Sequence, residues 1–161
     1  MTEQAFSLTT LRTYWENYQQ RLIATIAQLS SEQLALPAAP HQRSIGELLA
    51  HMIGARIWWF YHWMGEENAA ILHWLSLDES AVPDTAALVT MFEETWRVIA
   101  PALSCWTAAD MEHVVPPPTF VAEKESARTR EWIVWHVLEH EIHHGGELSL
   151  ALGSNGLQGI M

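Results

Sequence analysis

The chain has 161 residues, 49% of them apolar and 17% charged, enough for a single domain over 1–161 with a sizeable core. Its formal charge of −11, from 19 acidic residues against 8 Lys plus Arg, argues against nucleic acid and anionic membranes as partners, because phosphate binding needs clustered cations. A single cysteine, Cys105, rules out an intrachain disulfide and fits a reducing compartment.

The opening MTEQAFSLTT carries no basic region followed by an apolar stretch, so no signal peptide is expected. No apolar run is long enough for a bilayer, and a cytoplasmic location is the expectation. Helical periodicity begins at about residue 7 and lasts to about residue 30. Leu8, Leu11, Trp15, Tyr18, Leu22 and Leu29 share one face, flanked by Ile26, until Pro37 and Pro40 stop it. A second helix starts at Ser44, where SIGE reads as a capping box closed by Glu47. It should reach Met64, with Gly65 as its stop. The following link holds AAILHWL, a short extra helix.

Asp84 caps the third helix, whose stripe is Leu88, Phe92, Thr95, Ile99 and Trp106. Cys105, in the apolar run PALSCW, reads as a small buried hydrophobe. The fourth helix follows VVPPPTFVAEKES, with Ser126 or Thr129 as N-cap and Gly153 as C-cap. No strand pattern, repeat or low-complexity tract is evident. Four amphipathic helices make the chain all-α, a four-helix bundle. The links at about 31–43, 65–83 and 110–126 are too long for tight hairpins alone, so at least one is a crossover. The PPP link should wrap one end of the bundle.

The last helix carries a chemical oddity. Ile133, Val137, His140, His144, Leu148 and Ala151 follow spacings of three and four, so two imidazoles sit where leucine would be ordinary. A buried imidazole needs partners for its nitrogens. Two at i and i+4 project side by side and can grip one metal ion. In the second helix Leu48, His51, Ala55, Trp58 and His62 repeat the pattern. If those helices are neighbours, His51 meets His140 and His144. Three histidines with an open position form a catalytic pattern.

The other polar residues read more plainly. His143 lies off the seam, solvated or beside a ligand. His136 is one turn before His140, at the edge of a pocket or simply packed. His41, His62, His73 and His113 are surface or helix-end residues. Glu47 completes its capping box, with a supporting contact to a ligand as the alternative. Arg56 pairs with a surface acid, with binding of a substrate carboxylate as the alternative. Most of the nine tryptophans belong to the core, while Trp58, Trp59 and Trp135 could wall an apolar pocket.

HEIHH also matches the zinc-protease pattern, with Glu141 as general base. Those enzymes need a downstream third ligand. GGELSLALGSNGLQGIM contains no histidine, and its only carboxylate, Glu147, is one turn away. A protease is not expected.

LLAHMIGARIWW in the second helix and TREWIVWHVLEHEIHHGGELSLALG in the fourth resemble the DinB-like (DinB/YfiT) superfamily of metal-binding four-helix bundles. With the spacing between them, the resemblance covers nearly the whole chain. It implies an up-down-down-up bundle with a crossover between the second and third helices. It also implies a divalent metal held by His51, His140 and His144, the residues the spacing selects. Members often have Arg where this chain has Gly145. Relatives act as bacillithiol or mycothiol S-transferases and as thiol-dependent maleylpyruvate isomerases, and commonly form homodimers. The expectation is therefore a metal-dependent thiol S-transferase acting on small electrophiles, with a low-molecular-weight thiol as cosubstrate. A metal-dependent hydrolase is a variant of that reading. The alternative is a non-catalytic stress-response protein that binds a metal or small ligand. An all-imidazole set suits zinc or nickel and admits iron.

Overall fold

The computed structural model describes residues 8–39, 42–75 and 83–161. The readings of residues 1–7, Pro40 and His41 fall outside the described residues, as does the side chain of His73. The chain forms α1 (Leu8–Ile26), α2 (Ser31–Leu34), α3 (Ile45–Arg56) continued by a π-helical segment (Ile57–Trp63), α4 (Ala69–Leu75), α5 (Thr85–Cys105), α6 (Ala108–Met111) and α7 (Arg130–Ser154). Two short strands, β1 (Val114–Val115) and β2 (Arg128–Thr129), pair antiparallel and pin the ends of the PPP link. The sequence reading had no strand here. Two-residue strands carry no alternation to detect.

The caps set the helix starts. Ser44 accepts from the Glu47 amide (3.2 Å) while Glu47 accepts from the Ser44 amide (2.6 Å), closing the expected capping box. Asp84 accepts from the Ala87 amide (2.8 Å), and Thr129, not Ser126, caps α7 by accepting from the Trp132 amide (3.2 Å). Gly65, at φ 71°, ends the π segment in the left-handed conformation that glycine adopts without strain. At the far end of α7 the stop is Gly156 (φ 72°), three residues beyond the expected Gly153. The Leu157 amide reaches back to the Leu152 carbonyl (2.9 Å) there, a closure that requires the positive φ.

Contacts fix the directions of the four long helices. Thr85, opening α5, donates to the Leu29 carbonyl beyond α1 (2.7 Å), and Arg12 near the start of α1 donates to Ser104 near the end of α5 (2.9 Å). These two are antiparallel. His51 early in α3 meets His144 late in α7, while Trp59 meets Trp132 near the α7 start, so that pair is antiparallel too. Arg56 contacts Thr95, and Phe60 stacks with Trp106, so α3 and α5 run parallel. The result is the up-down-down-up bundle. The crossover between α3 and α5 contains α4, the AAILHWL helix.

The core is a layer of aliphatic and aromatic side chains, among them Trp15, Leu22, Ile26, Leu48, Leu49, Phe60, Phe92, Ile133 and Leu148. At its centre lies a polar hub. Arg56 is 1% exposed and Glu141 0%. The Arg56 Nε donates to Glu141 Oε1, and its Nη2 donates to Glu141 Oε2 (2.9 Å) and to Gln19 Oε1. Its Nη1 donates to the Phe92 carbonyl and to Thr95 Oγ1, both at 3.1 Å. Trp15 Nε1 donates to Glu141 Oε2 (2.9 Å), and Gln19 Nε2 to the Phe92 carbonyl (3.0 Å). One residue or more from each long helix takes part.

This corrects the surface placement of Arg56. It follows Met52 by four and Ile53 by three, so it continues the most buried stripe of α3 and has no route to water. It also corrects Cys105, which is exposed at the last position of α5, past the face that buries Ala102 and Leu103.

Breaking a buried pair leaves an uncompensated charge, at a cost of about 3–5 kcal/mol. Glu141→Ala should therefore lower unfolding free energy in urea by about that amount. The double variant Arg56→Met/Glu141→Leu should recover most of the loss, because no charge is then stranded. A single variant that unfolds like the wild-type protein would show that the hub does not hold the bundle.

Candidate metal centre

α3 and α7 lie side by side, and α3 presents His51 opposite the turn of α7 that carries His140 and His144. The Nε2 atoms of His51 and His140 are 3.0 Å apart. Ring centroids are 4.8 Å apart for His51 and His140, 4.9 Å for His51 and His144, and 4.3 Å for His140 and His144. One nitrogen from each ring falls within 4.8 Å of the other two. A tetrahedral ion about 2.0–2.1 Å from each nitrogen would set them roughly 3.3 Å apart; the His51–His140 pair already stands near that spacing, and the chemistry of the donor set suits one small divalent cation.

The three rings differ in surroundings. His51 is exposed, while His140 and His144 are half-buried. The trio lines the rim of the bundle beside the core, and the fully buried position on this turn of α7 belongs to Glu141. Burial, aided by the neighbouring His144 and His51 rings, pushes the His140 pKa down to about 4. Burial, with the Arg43 charge second, also lowers that of His51. Both effects favour the neutral imidazole, the form that ligates a metal. His140 Nδ1 is buried with no hydrogen-bond partner. His144 Nδ1 meets Glu147 Oε2 at 2.6 Å, which leaves the opposite ring nitrogen to face the other two histidines.

The remaining candidates separate clearly. His136 sits one turn from His140 at 6.4 Å between ring centroids, stacked on Trp132 (4.7 Å, 13° between planes) and met edge-on by Trp59 (5.1 Å). His143 is exposed and approaches Glu147 at 3.6 Å. Glu47 is occupied by its capping box, whose hydrogen bonds lower its pKa. Trp58 leans on His62 and on Phe120 of the PPP link (5.6 and 5.7 Å), so it walls that end of the bundle. Trp135, His136, Leu138, His140 and Ile142 line an open groove of about 600 Å³ along the outer side of α7. Glu141 is committed to Arg56 and Trp15 inside the core, away from any role as a base at the trio. Glu147, set aside in the sequence as a third ligand, instead meets a ring nitrogen of His144, and its spacing of three from His144 is itself a helix-face signal.

A family model described as mycothiol S-transferase matches residues 10–151. The chain belongs to the mycothiol S-transferase family. No curated protein matches it. Three solved structures share the fold of this family member, each at 17% identity. A DinB-like protein from Bacillus cereus ATCC 10987 has a TM-score of 0.68 with 91% of each chain covered. A conserved protein from Enterococcus faecalis has a TM-score of 0.67, covering 92% of this chain and 99% of that one. YfiT from Bacillus subtilis, described as a probable metal-dependent hydrolase with an unusual four-helix bundle topology, has a TM-score of 0.58, covering 98% and 94%. The DinB-like assignment made from the two helix motifs stands. Among the described residues no helix is long and apolar enough to cross a membrane.

This S-transferase family member has Gly145 directly after His144, and the packing explains the need for a small residue. A Cβ at 145 would lie 1.7 Å from the Tyr18 hydroxyl. That hydroxyl donates to the Glu141 carbonyl (3.0 Å) and so clamps the turn between His140 and His144. Burial, with the Glu141 charge second, raises the Tyr18 pKa from 10.0 to about 12. A raised native value means that stability is full below the ordinary phenol pKa and is lost as pH rises towards about 12. Urea unfolding at about pH 9 and about pH 11 should show a larger loss for wild type than for Tyr18→Phe. Equal losses would mean that the clamp is not buried.

Proposed function

We propose that this protein is a metal-dependent thiol S-transferase that joins a low-molecular-weight thiol, of the mycothiol class, to a small electrophile. The convergence of three imidazoles from two helices on one point carries the reading, and the family supplies the thiol. His51, His140 and His144 would hold a divalent ion, zinc or nickel, leaving a coordination position open. Such an ion, when bound, acts as a Lewis acid that brings a thiol to its reactive thiolate form near neutral pH.

The side chains of this chain supply the rest. Three neutral rings would leave the charge of a bound divalent ion uncompensated, which would favour an anionic sulfur there. Glu147 holds His144 in the tautomer that points a bare nitrogen at the centre. The Tyr18 hydroxyl fixes the α7 backbone beneath, and the Arg56–Glu141 hub holds α3 against α7. In the transfer the sulfur forms a bond to the electrophilic carbon. The thiol proton leaves with the departing group or ends on the adduct. Glu141 takes no proton, since both its oxygens are engaged inside the core.

Protein purified without a histidine tag should contain about one equivalent of zinc or nickel by elemental analysis. His140→Ala and His51→Ala should each lose most of it. Chelation should abolish conjugation of mycothiol to a bimane electrophile, and added metal should restore it. Glu147→Ala should keep the site but weaken metal binding by about 10–100-fold. Full metal content in His51→Ala would overturn the ligand set. Metal-replete protein that hydrolyses an ester but transfers no thiol would move the reading to a hydrolase.

A further inference from the structure

A row of side chains leads away from the trio along one face of α7 and on into β2. Counting back from His144, every fourth residue is His140, His136, Trp132 and Arg128, and each touches the next. The steps are 4.3 Å from His144 to His140, 6.4 Å on to His136 and 4.7 Å on to Trp132. The Arg128 guanidinium carbon then lies 4.5 Å from the Trp132 ring centroid. The cation is thus no farther from His140 than those last three steps laid end to end.

Arg128 is built in place. Its backbone pairs with Val115 across the two short strands. Its side chain lies over a ring that also stacks with His136 and that Trp59 meets edge-on at 5.4 Å. Among the described residues no carboxylate lies within ion-pairing distance of it, in a chain where acids outnumber Lys plus Arg by 19 to 8. Its Nε is buried without an acceptor. A half-buried guanidinium with unmet donors is a site for oxygen acceptors.

We propose that Arg128, seated on Trp132, binds the polyol end of the thiol cosubstrate whose sulfur is directed to the His51–His140–His144 centre. This rests on the transferase reading above. The placement suits it: a thiol built of several linked units can hold its sulfur at the trio and its far hydroxyls near Arg128. Neighbouring hydroxyl oxygens can accept from the several N–H donors of a guanidinium. Arg128 is here a specificity residue for the thiol and touches neither the sulfur nor the electrophile.

The test compares mycothiol with N-acetylcysteine, which has the sulfur but no polyol, and with glutathione, which has carboxylates in its place. Metal-loaded wild type, Arg128→Gln and Arg128→Lys are assayed with one electrophile, and metal content is measured in each. The expected result is a preference for mycothiol over N-acetylcysteine, in kcat/KM, that falls at least about tenfold in Arg128→Gln. The fall should lie in KM, with metal content unchanged and partial recovery in Arg128→Lys. An unchanged preference overturns the proposal, as does a fall confined to glutathione, which would make the tail anionic. Failure of wild type to use any thiol overturns the transferase reading instead.

Discussion

A guanidinium sealed in the middle of the bundle is the constraint on which the rest depends. Arg56 has no path to solvent, so each of its donors must find an acceptor within the protein. Those acceptors come from the other three long helices: Gln19 on α1, the Phe92 carbonyl and Thr95 on α5, and Glu141 on α7. An apolar core of this composition could tolerate small slides of one helix along another. A planar fork gripping a carboxylate cannot, because a shift of half a turn would strand a charge. The hub therefore sets the register of α3 against α7.

That register is what makes the histidines meet. Arg56 lies five residues after His51, and Glu141 lies next to His140. Once the guanidinium and the carboxylate are joined, His51 is brought opposite the His140–His144 turn with nothing further to specify. Structure and proposed chemistry thus divide neighbouring positions of the same two helices. The inward residues build a satisfied polar core. The residues beside them, at the rim, leave their nitrogens aimed at a common point with access to solvent. The Tyr18 hydroxyl on the Glu141 carbonyl and the glycine at 145 that makes room for it belong to the same construction.

Much of this could be read from the sequence, and the gaps have physical causes. The SIGE box, the Asp84 cap, the AAILHWL helix and the i, i+4 histidines are local patterns, and each appears where the pattern puts it. The closeness of the three rings was legible because both helices repeat the same spacing. Arg56 was misplaced because a charged residue in an apolar stripe is read as an exception until its partner is known, and Glu141 had been absorbed into a protease-like pattern. Two opposite charges on seam positions of two helices were the available signal. Cys105 was misplaced because an apolar run says nothing about which side of a helix end faces water. The π-helical turn after Arg56 was likewise out of reach: Ile57, Phe60 and Trp63 are buried there, a spacing that an α-helix would share.

The central claim is that three imidazoles hold one ion with a position open to sulfur. Cobalt substituted into the metal-free protein reports both parts at once in its absorption spectrum. The account predicts visible bands of a low-coordinate nitrogen site, and a new near-ultraviolet sulfur-to-cobalt charge-transfer band when mycothiol is added, absent in His140→Ala. A spectrum of hydrated cobalt, or one that thiol leaves unchanged, would contradict it.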